Sequence, residues 1–143
     1  MAPDGGAAVS RVVEALRLRR QGDGWTGEMP ADVWGQTVFG GFVIAHAVSV
    51  AAREAPERRR LHSLHAYFLK PVAGGKSIEY RVKTLREGRM FASRLVEASQ
   101  NNKAVLSMTC SFHSVFACSP SCRRGFSYHA NFLLNQELAI TSG

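Results

Sequence analysis

Three shortages bound what this chain of 143 residues can be. Cysteine is scarce, with Cys110, Cys118 and Cys122 alone. An odd count, without an N-terminal apolar signal stretch, points to a reducing compartment rather than to a disulfide-stapled secreted domain. The Cys118–Cys122 spacing has no second ligand pair beside it, and His113 and His129 complete no zinc pattern, so no metal is expected. Long apolar runs are also missing. The longest, Phe42 to Ala52, is interrupted by His46 and Ser49 and falls far short of the roughly 20 residues that span a bilayer. Acidic residues are outnumbered, 11 against 18 basic ones, leaving a formal net charge of +7. Such a balance favours anionic partners, although the basic residues cluster only at Arg58-Arg59-Arg60 and at Arg17, Arg19 and Arg20. No repeat of 20–50 residues is present. The final residues Thr141-Ser142-Gly143 are not the C-terminal peroxisomal address.

What is present is ordinary material for one folded core: 45% hydrophobic and 20% charged residues. Val9, Val12, Val13 and Leu16 recur at helical spacing, which predicts a short amphipathic helix from about Ala8 to Arg19, ended by Gln21-Gly22-Asp23-Gly24. Trp25 to Glu28 reads as a short strand stopped by Pro30. Phe42 to Arg53 is apolar almost all round, so a helix there must be enclosed; Pro56 follows its end. Strands are expected over Leu61 to Lys70, Ile78 to Leu85, Met90 to Gln100 and Val105 to His113. Glu79, Arg81 and Lys83 alternate with Ile78, Tyr80 and Val82, the pattern of a sheet with one wet face. Turns at Pro71 to Gly75, Arg86 to Arg89 and Asn101 to Lys103 suggest an antiparallel meander. An enclosed helix and such strands pack most simply as a curved antiparallel sheet wrapped around the helix, an α+β arrangement of the hotdog type. Its exposed edges call for a second copy or a second hotdog. The division expected is an N-terminal extension over 1–24, a hotdog domain over 25–116 and a divergent tail over 117–143, with a short helix within Phe126 to Ile140.

Four segments carry a more specific signal: Val38-Phe39-Gly40-Gly41-Phe42-Val43-Ile44-Ala45, Leu61 to Pro71, Val82 to Arg94, and Met108-Thr109-Cys110-Ser111-Phe112. Their order and spacing resemble those of the long-chain acyl-CoA thioesterase II family, which includes peroxisomal members, over about residues 25–113. The resemblance implies a two-hotdog fold, hydrolysis of fatty acyl-CoA to free acid and CoA, and a peroxisomal or cytosolic setting. It requires no cofactor. It also implies that the acid, hydroxyl and amide residues holding the attacking water lie in a second hotdog, of which this chain has no room. The family's usual glutamine is replaced here by Phe42, and the likeness fades after Phe112.

On their own chemistry, Gly40 and Gly41 either open backbone N–H groups at a helix N-terminus to an oxyanion or permit a tight turn beside a packed helix. His62 is the general-base candidate by residue type, or else a half-buried strand histidine. His65, three residues on, is expected on the opposite face, which excludes a joint metal site. His46 on the enclosed helix needs a partner, and Asp32 is either an acid near the site or a turn residue. Arg86 and Arg89, with Lys83 and Arg58 to Arg60, are candidates for the CoA phosphates. Three functions follow: an acyl-CoA thioesterase or its first half; a catalytically incomplete hotdog that binds acyl-CoA or pairs with another subunit; and a nucleic-acid module. The third lacks an RNA-type aromatic motif or a groove-reading helix, so no nucleic-acid partner is expected.

Overall fold

The computed structural model describes residues 13, 14, 16–29 and 37–114. Six strands form one sheet: β1 (Leu18–Gln21), β2 (Gly24–Glu28), β3 (Arg59–Phe68), β4 (Ser77–Glu87), β5 (Phe91–Gln100) and β6 (Lys103–Ser114). One helix, α1 (Gly40–Arg53), packs against it. The strand order is β1-β2-β4-β5-β6-β3, and every neighbouring pair is antiparallel. This is the α+β hotdog fold.

The helix stays enclosed because it offers no polar face. Phe42, Val43, His46, Ala47, Val48, Val50 and Ala51 are buried, and no residue from Phe42 to Ala52 is fully exposed. The inner face of the sheet meets it with Ile78, Tyr80, Ala92, Val96, Ala98, Leu106, Met108 and Phe112, all at most 1% exposed. These residues alternate along β4, β5 and β6 with outward Glu79, Arg81, Lys83, Glu97 and Thr109, as the period-2 pattern requires. Gly27 on β2 lets the helix approach. A Cβ there would stand 2.6 Å from the His46 ring.

Three expectations need correction. The helix expected to run to about Arg19 gives way at Leu18, where β1 begins. Gly22, at φ +57°, turns the chain back in a two-residue hairpin that pairs Gln21 with Gly24. Leu18 is buried while Arg19, Arg20 and Gln21 are exposed. The sheet thus takes up residues from the segment assigned to the N-terminal extension.

The meander holds for β4-β5-β6 but excludes β3, which pairs with β6 across Arg59–Ser114 to Phe68–Leu106. The β3–β4 connection is no hairpin. It crosses the end of the sheet, tied down where Val38 N–H donates to Val72 O at 2.9 Å and where the Gln100 side chain bonds both Ala73 N and Ala73 O. Finally, β3 carries a bulge between Leu61 and Ser63. The extra residue breaks the alternation, so His62 and His65 share the outer face instead of opposing each other.

The hairpin at Asn101-Asn102 follows a simple rule. Both residues have positive φ, 51° and 59°, and Gln100 pairs with Lys103. A two-residue turn of this hand needs positive φ at both central positions, and asparagine tolerates it.

Candidate functional site at the helix start

The start of α1 lies where the β3–β4 connection crosses the sheet. Phe39, at the N-cap position, supplies no capping side chain, and Phe42 N–H donates to Phe39 O at 3.0 Å. The positive end of the helix dipole lies at this start, where an apolar side chain rather than a carboxylate or hydroxyl holds the N-cap position. Gly40 and Gly41 leave room for two aromatic rings. A Cβ on Gly40 would lie 2.9 Å from the Phe68 ring, and one on Gly41 2.5 Å from the Phe39 ring. Both rings are more than half exposed, at 52% and 62%. They form an apolar rim around the helix start, next to β3, the edge strand of the sheet. Phe42, where the family resemblance leads one to expect glutamine, is instead 7% exposed and part of the core.

His62 lies elsewhere. Its Nε2 is 2.9 Å from Ser111 Oγ, and its ring centroid lies 5.6 Å from that of His113 and 5.7 Å from that of Phe91. These neighbours alternate with buried Phe112, Cys110 and Ala92, so the cluster occupies the outer face of the sheet, away from α1. His65 packs edge-on against Tyr67 at 4.6 Å on the same face. Among the described residues no group of three or more metal-ligating side chains occurs.

His46 is a satisfied core histidine. It is fully buried, with Nδ1 3.2 Å from the Tyr80 hydroxyl and the two rings edge to face at 5.6 Å. Burial pushes the Tyr80 phenol well above its ordinary range, so it stays protonated. Asp32, Cys118, Cys122, His129 and the Phe126 to Ile140 segment lie outside the described residues.

Arg86 and Arg89 are exposed and stand at the end of the sheet away from the helix start. Gly40 abuts Phe68 at the last row of β3, whereas Arg86 shares its row with Ser93, Ser111 and Ser63, and Arg89 lies beyond that in the β4–β5 turn. The structure thus separates the glycine and arginine candidates.

Two inward polar residues escaped the sequence reading. Arg94 is 1% exposed. It donates from Nε and Nη2 to Glu54 O at 3.1 and 2.9 Å, from Nη1 to Arg86 O and Ser93 O, and from Nη2 to Glu87 Oε2 at 2.5 Å. It thereby caps the C-terminal end of α1 from the sheet. Gln100 does the same for the β3–β4 connection. The available signal was alternation: Arg94 and Gln100 occupy the inward register of Ala92, Val96 and Ala98. A further group, Glu54 Oε1 with Arg20 Nη1 at 2.9 Å and Trp25 Nε1 at 3.0 Å, ties the β1–β2 hairpin to the same helix end.

Comparison with known proteins agrees with this architecture. Residues 30–113 match the family model described as the acyl-CoA thioesterase N-terminal domain. Acyl-CoA thioesterase 2 of Haemophilus influenzae is 40% identical over 104 residues, covering 73% of this chain and 36% of that protein. A tesB protein of Mycobacterium avium subsp. paratuberculosis superposes with a TM-score of 0.68 at 31% identity, over 78% of this chain and 45% of that one. The phenylacetic acid degradation protein PaaI of Thermus thermophilus, at 23% identity and a TM-score of 0.60, shares the fold and is covered over 92% of its length. The chain thus spans less than half the length of the Haemophilus influenzae thioesterase and of the tesB protein, and about nine tenths of the PaaI chain. It belongs to the acyl-CoA thioesterase II family and comprises that family's N-terminal hotdog domain.

Proposed function

We propose that this chain supplies one hotdog of a paired acyl-CoA thioesterase, which hydrolyses a fatty acyl-CoA to free acid and CoA. The observation that carries the reading is the start of α1 at Gly40-Gly41, rimmed by exposed Phe39 and Phe68 beside β3, the edge strand of the sheet. A thioester carbonyl placed there would meet backbone N–H donors at the positive end of a helix, which favour the negative charge that develops on the oxygen. Water attacks the carbonyl carbon as a general base accepts its proton, the tetrahedral intermediate collapses with cleavage of the C–S bond, and that proton passes to the sulfur so that CoA leaves as the thiol. The acyl chain lies along apolar surface between two hotdogs. A side chain that activates the water, together with the backbone donors, supplies this chemistry, so the reading calls for no metal or organic cofactor.

His62 is the general-base candidate that this chain itself offers, and Arg86 and Arg89 are the candidates for the phosphates of CoA. The acid, hydroxyl and amide set that the resemblance assigns to a second hotdog is the stronger source of a water-activating group. The edge of β3, unpaired among the described residues and with Leu64, Tyr67, Phe68 and Leu69 on or beside it between 41% and 63% exposed, supports pairing with such a partner. The proposed division remains an N-terminal extension over 1–24, whose β1 joins the sheet, a hotdog domain over 25–116 and a tail over 117–143. A peroxisomal or cytosolic setting goes with this reading, since a yeast relative is named as peroxisomal. No helix among the described residues is long and apolar enough to cross a membrane.

One observation favours a second reading, a hotdog that binds acyl-CoA without cleaving it. The serine–histidine contact of His62 with Ser111 lies on the outer face, not at the helix start. Thiol release from medium- and long-chain acyl-CoA, measured beside acyl-CoA binding, decides between the two. Release supports the thioesterase. Binding without release leaves the binding role, and neither result would remove acyl-CoA as the ligand class unless binding also fails.

A further inference from the structure

Strand pairing brings four rings onto the outer face of the sheet. His62 on β3 has its ring centroid 5.6 Å from that of His113 on β6 and 5.7 Å from that of Phe91 on β5. His65 lies about 10 Å further along β3, edge-on to Tyr67. Phe91 is 50% exposed, His62 and His65 are exposed, and His113 is half-buried. Among them stand the small hydroxyl side chains of Ser93, Thr109 and Ser111. No single segment of the sequence carries this set, because its members come from three strands. The aromatic motif whose absence spoke against nucleic acid is assembled by the sheet.

The charge on this part of the face has one sign. Three rows cross it from β3 toward β4: Arg60–His113–Phe91, Ser63–Ser111–Ser93–Arg86 and His65–Thr109–Leu95–Lys83. They contain no acidic residue. Glu87 on β4 turns inward to Arg94, and Glu97 stands one row further on, opposite Arg81. Arg60, Lys83 and Arg86 are exposed, and none of them forms an ion pair among the described residues. Lys83 and Arg86 line β4, one strand from Phe91 and about 14 Å from the β3 rings. A phosphodiester backbone laid along these cations can turn its bases onto the rings. The bases must be unpaired to stack, which selects a single strand. A duplex hides its base faces and is read by a helix or ribbon that enters a groove. Imidazoles and hydroxyls also suit the polar edges of bases better than the acyl chains of a membrane.

We propose that the outer face of the β3-β6-β5-β4 sheet binds single-stranded nucleic acid, with bases stacked on His62, His65, Phe91 and His113 and phosphates held by Arg60, Lys83 and Arg86. This goes beyond the acyl-CoA reading and does not depend on it, since α1 packs against the opposite face of the sheet.

The test is fluorescence anisotropy of labelled oligouridine and oligothymidine, each about twelve nucleotides long, titrated with the full chain. A labelled duplex of the same length and vesicles of phosphatidylglycerol are measured beside them. Single strands are expected to bind more tightly than the duplex, with a log–log salt slope of about −2 for three phosphate contacts. K83A/R86A should bring that slope to about −0.7. F91A/H113A, checked by circular dichroism, should lose about five- to hundredfold affinity and keep the slope. F91W retains a ring. It should bind as the parent chain does and gain an indole emission that the bound strand quenches, which a merely structural role for Phe91 would not produce. Absence of single-strand binding at low salt overturns the proposal, whether or not the vesicles bind. Equal affinity for single strand and duplex marks a general polyanion surface and overturns it too. So does full affinity in F91A/H113A, or an F91W emission that the bound strand leaves unchanged.

Discussion

Replacing Arg94 by methionine tests how the helix is fastened to its sheet. The side chain is buried, 1% exposed, and its five hydrogen bonds reach three backbone carbonyls and one carboxylate. Methionine keeps an unbranched chain of similar length but donates nothing. Glu87 is 52% exposed, so its carboxylate rehydrates when released, and a pair of that exposure is worth no more than about 1 kcal/mol. The carbonyls of Glu54, Arg86 and Ser93 fare worse, because they accept in part-buried bonds and an acceptor shut off from water without a donor costs about 1–3 kcal/mol. If water reaches one or two of the three, the expected loss is about 2–5 kcal/mol. For a domain of this size that lowers the melting temperature by roughly 10–30 °C. Urea titration followed by circular dichroism measures it, with the m-value unchanged. E87Q should cost less than about 1 kcal/mol. A loss below about 0.5 kcal/mol for R94M would refute the capping argument. An E87Q loss equal to that of R94M would mean that the ion pair, not the carbonyl cap, holds the helix end.

Three further outcomes follow from the same packing. G27A should destabilise by about 1–3 kcal/mol, since its Cβ would fall 2.6 Å from the buried His46 ring; a neutral urea midpoint would show that the helix can shift freely. Burial pushes the Cys110 thiol from 9.0 up to about 11, against the opposing pull of the Arg94 charge. The native thiol should therefore resist a disulfide reagent at pH 8 and react once urea unfolds the chain. Because the folded value is the higher one, its contribution to stability is complete below pH 9 and lost as pH rises toward 11. C110A should remove that part of the decline, and an unaltered pH profile would contradict the assignment. Y80F should cost about 1–2 kcal/mol by withdrawing the hydroxyl beside His46 Nδ1; an unchanged melting temperature would show that this contact contributes nothing.

Much of this fold was legible because burial imposes a period. The alternation of Ile78, Tyr80 and Val82 with Glu79, Arg81 and Lys83 marks a sheet with one dry face, and β4 has it. The unrelieved apolar run after Gly41 marks an enclosed helix, and α1 is one. What failed has equally physical causes. Helical spacing of Val9, Val12, Val13 and Leu16 says nothing about where a helix stops, and Leu18 already belongs to the sheet. A short connection suggests a hairpin, yet the segment around Val72 is anchored by Val38 and Gln100, which sends β3 to the far side beside β6. One bulge residue at His62 inverted the face on which two histidines were expected. Gly40 and Gly41 could be read as a ligand approach or as a packing necessity. The structure adds the packing, with rings against both positions. The candidate site was legible as motifs. Its layout was not, because the sequence does not reveal that the glycines and the arginines stand at opposite ends of a sheet.

The central claim is that acyl-CoA is the ligand of this hotdog. Calorimetric titration of the full chain with a non-hydrolysable long-chain S-alkyl-CoA tests it most directly. The account expects saturable binding, weakened by added salt as phosphate contacts are screened and abolished when the Phe39 and Phe68 rim is replaced by aspartates. No heat of binding at any ligand concentration short of micelle formation, from a chain shown to be folded, would contradict it.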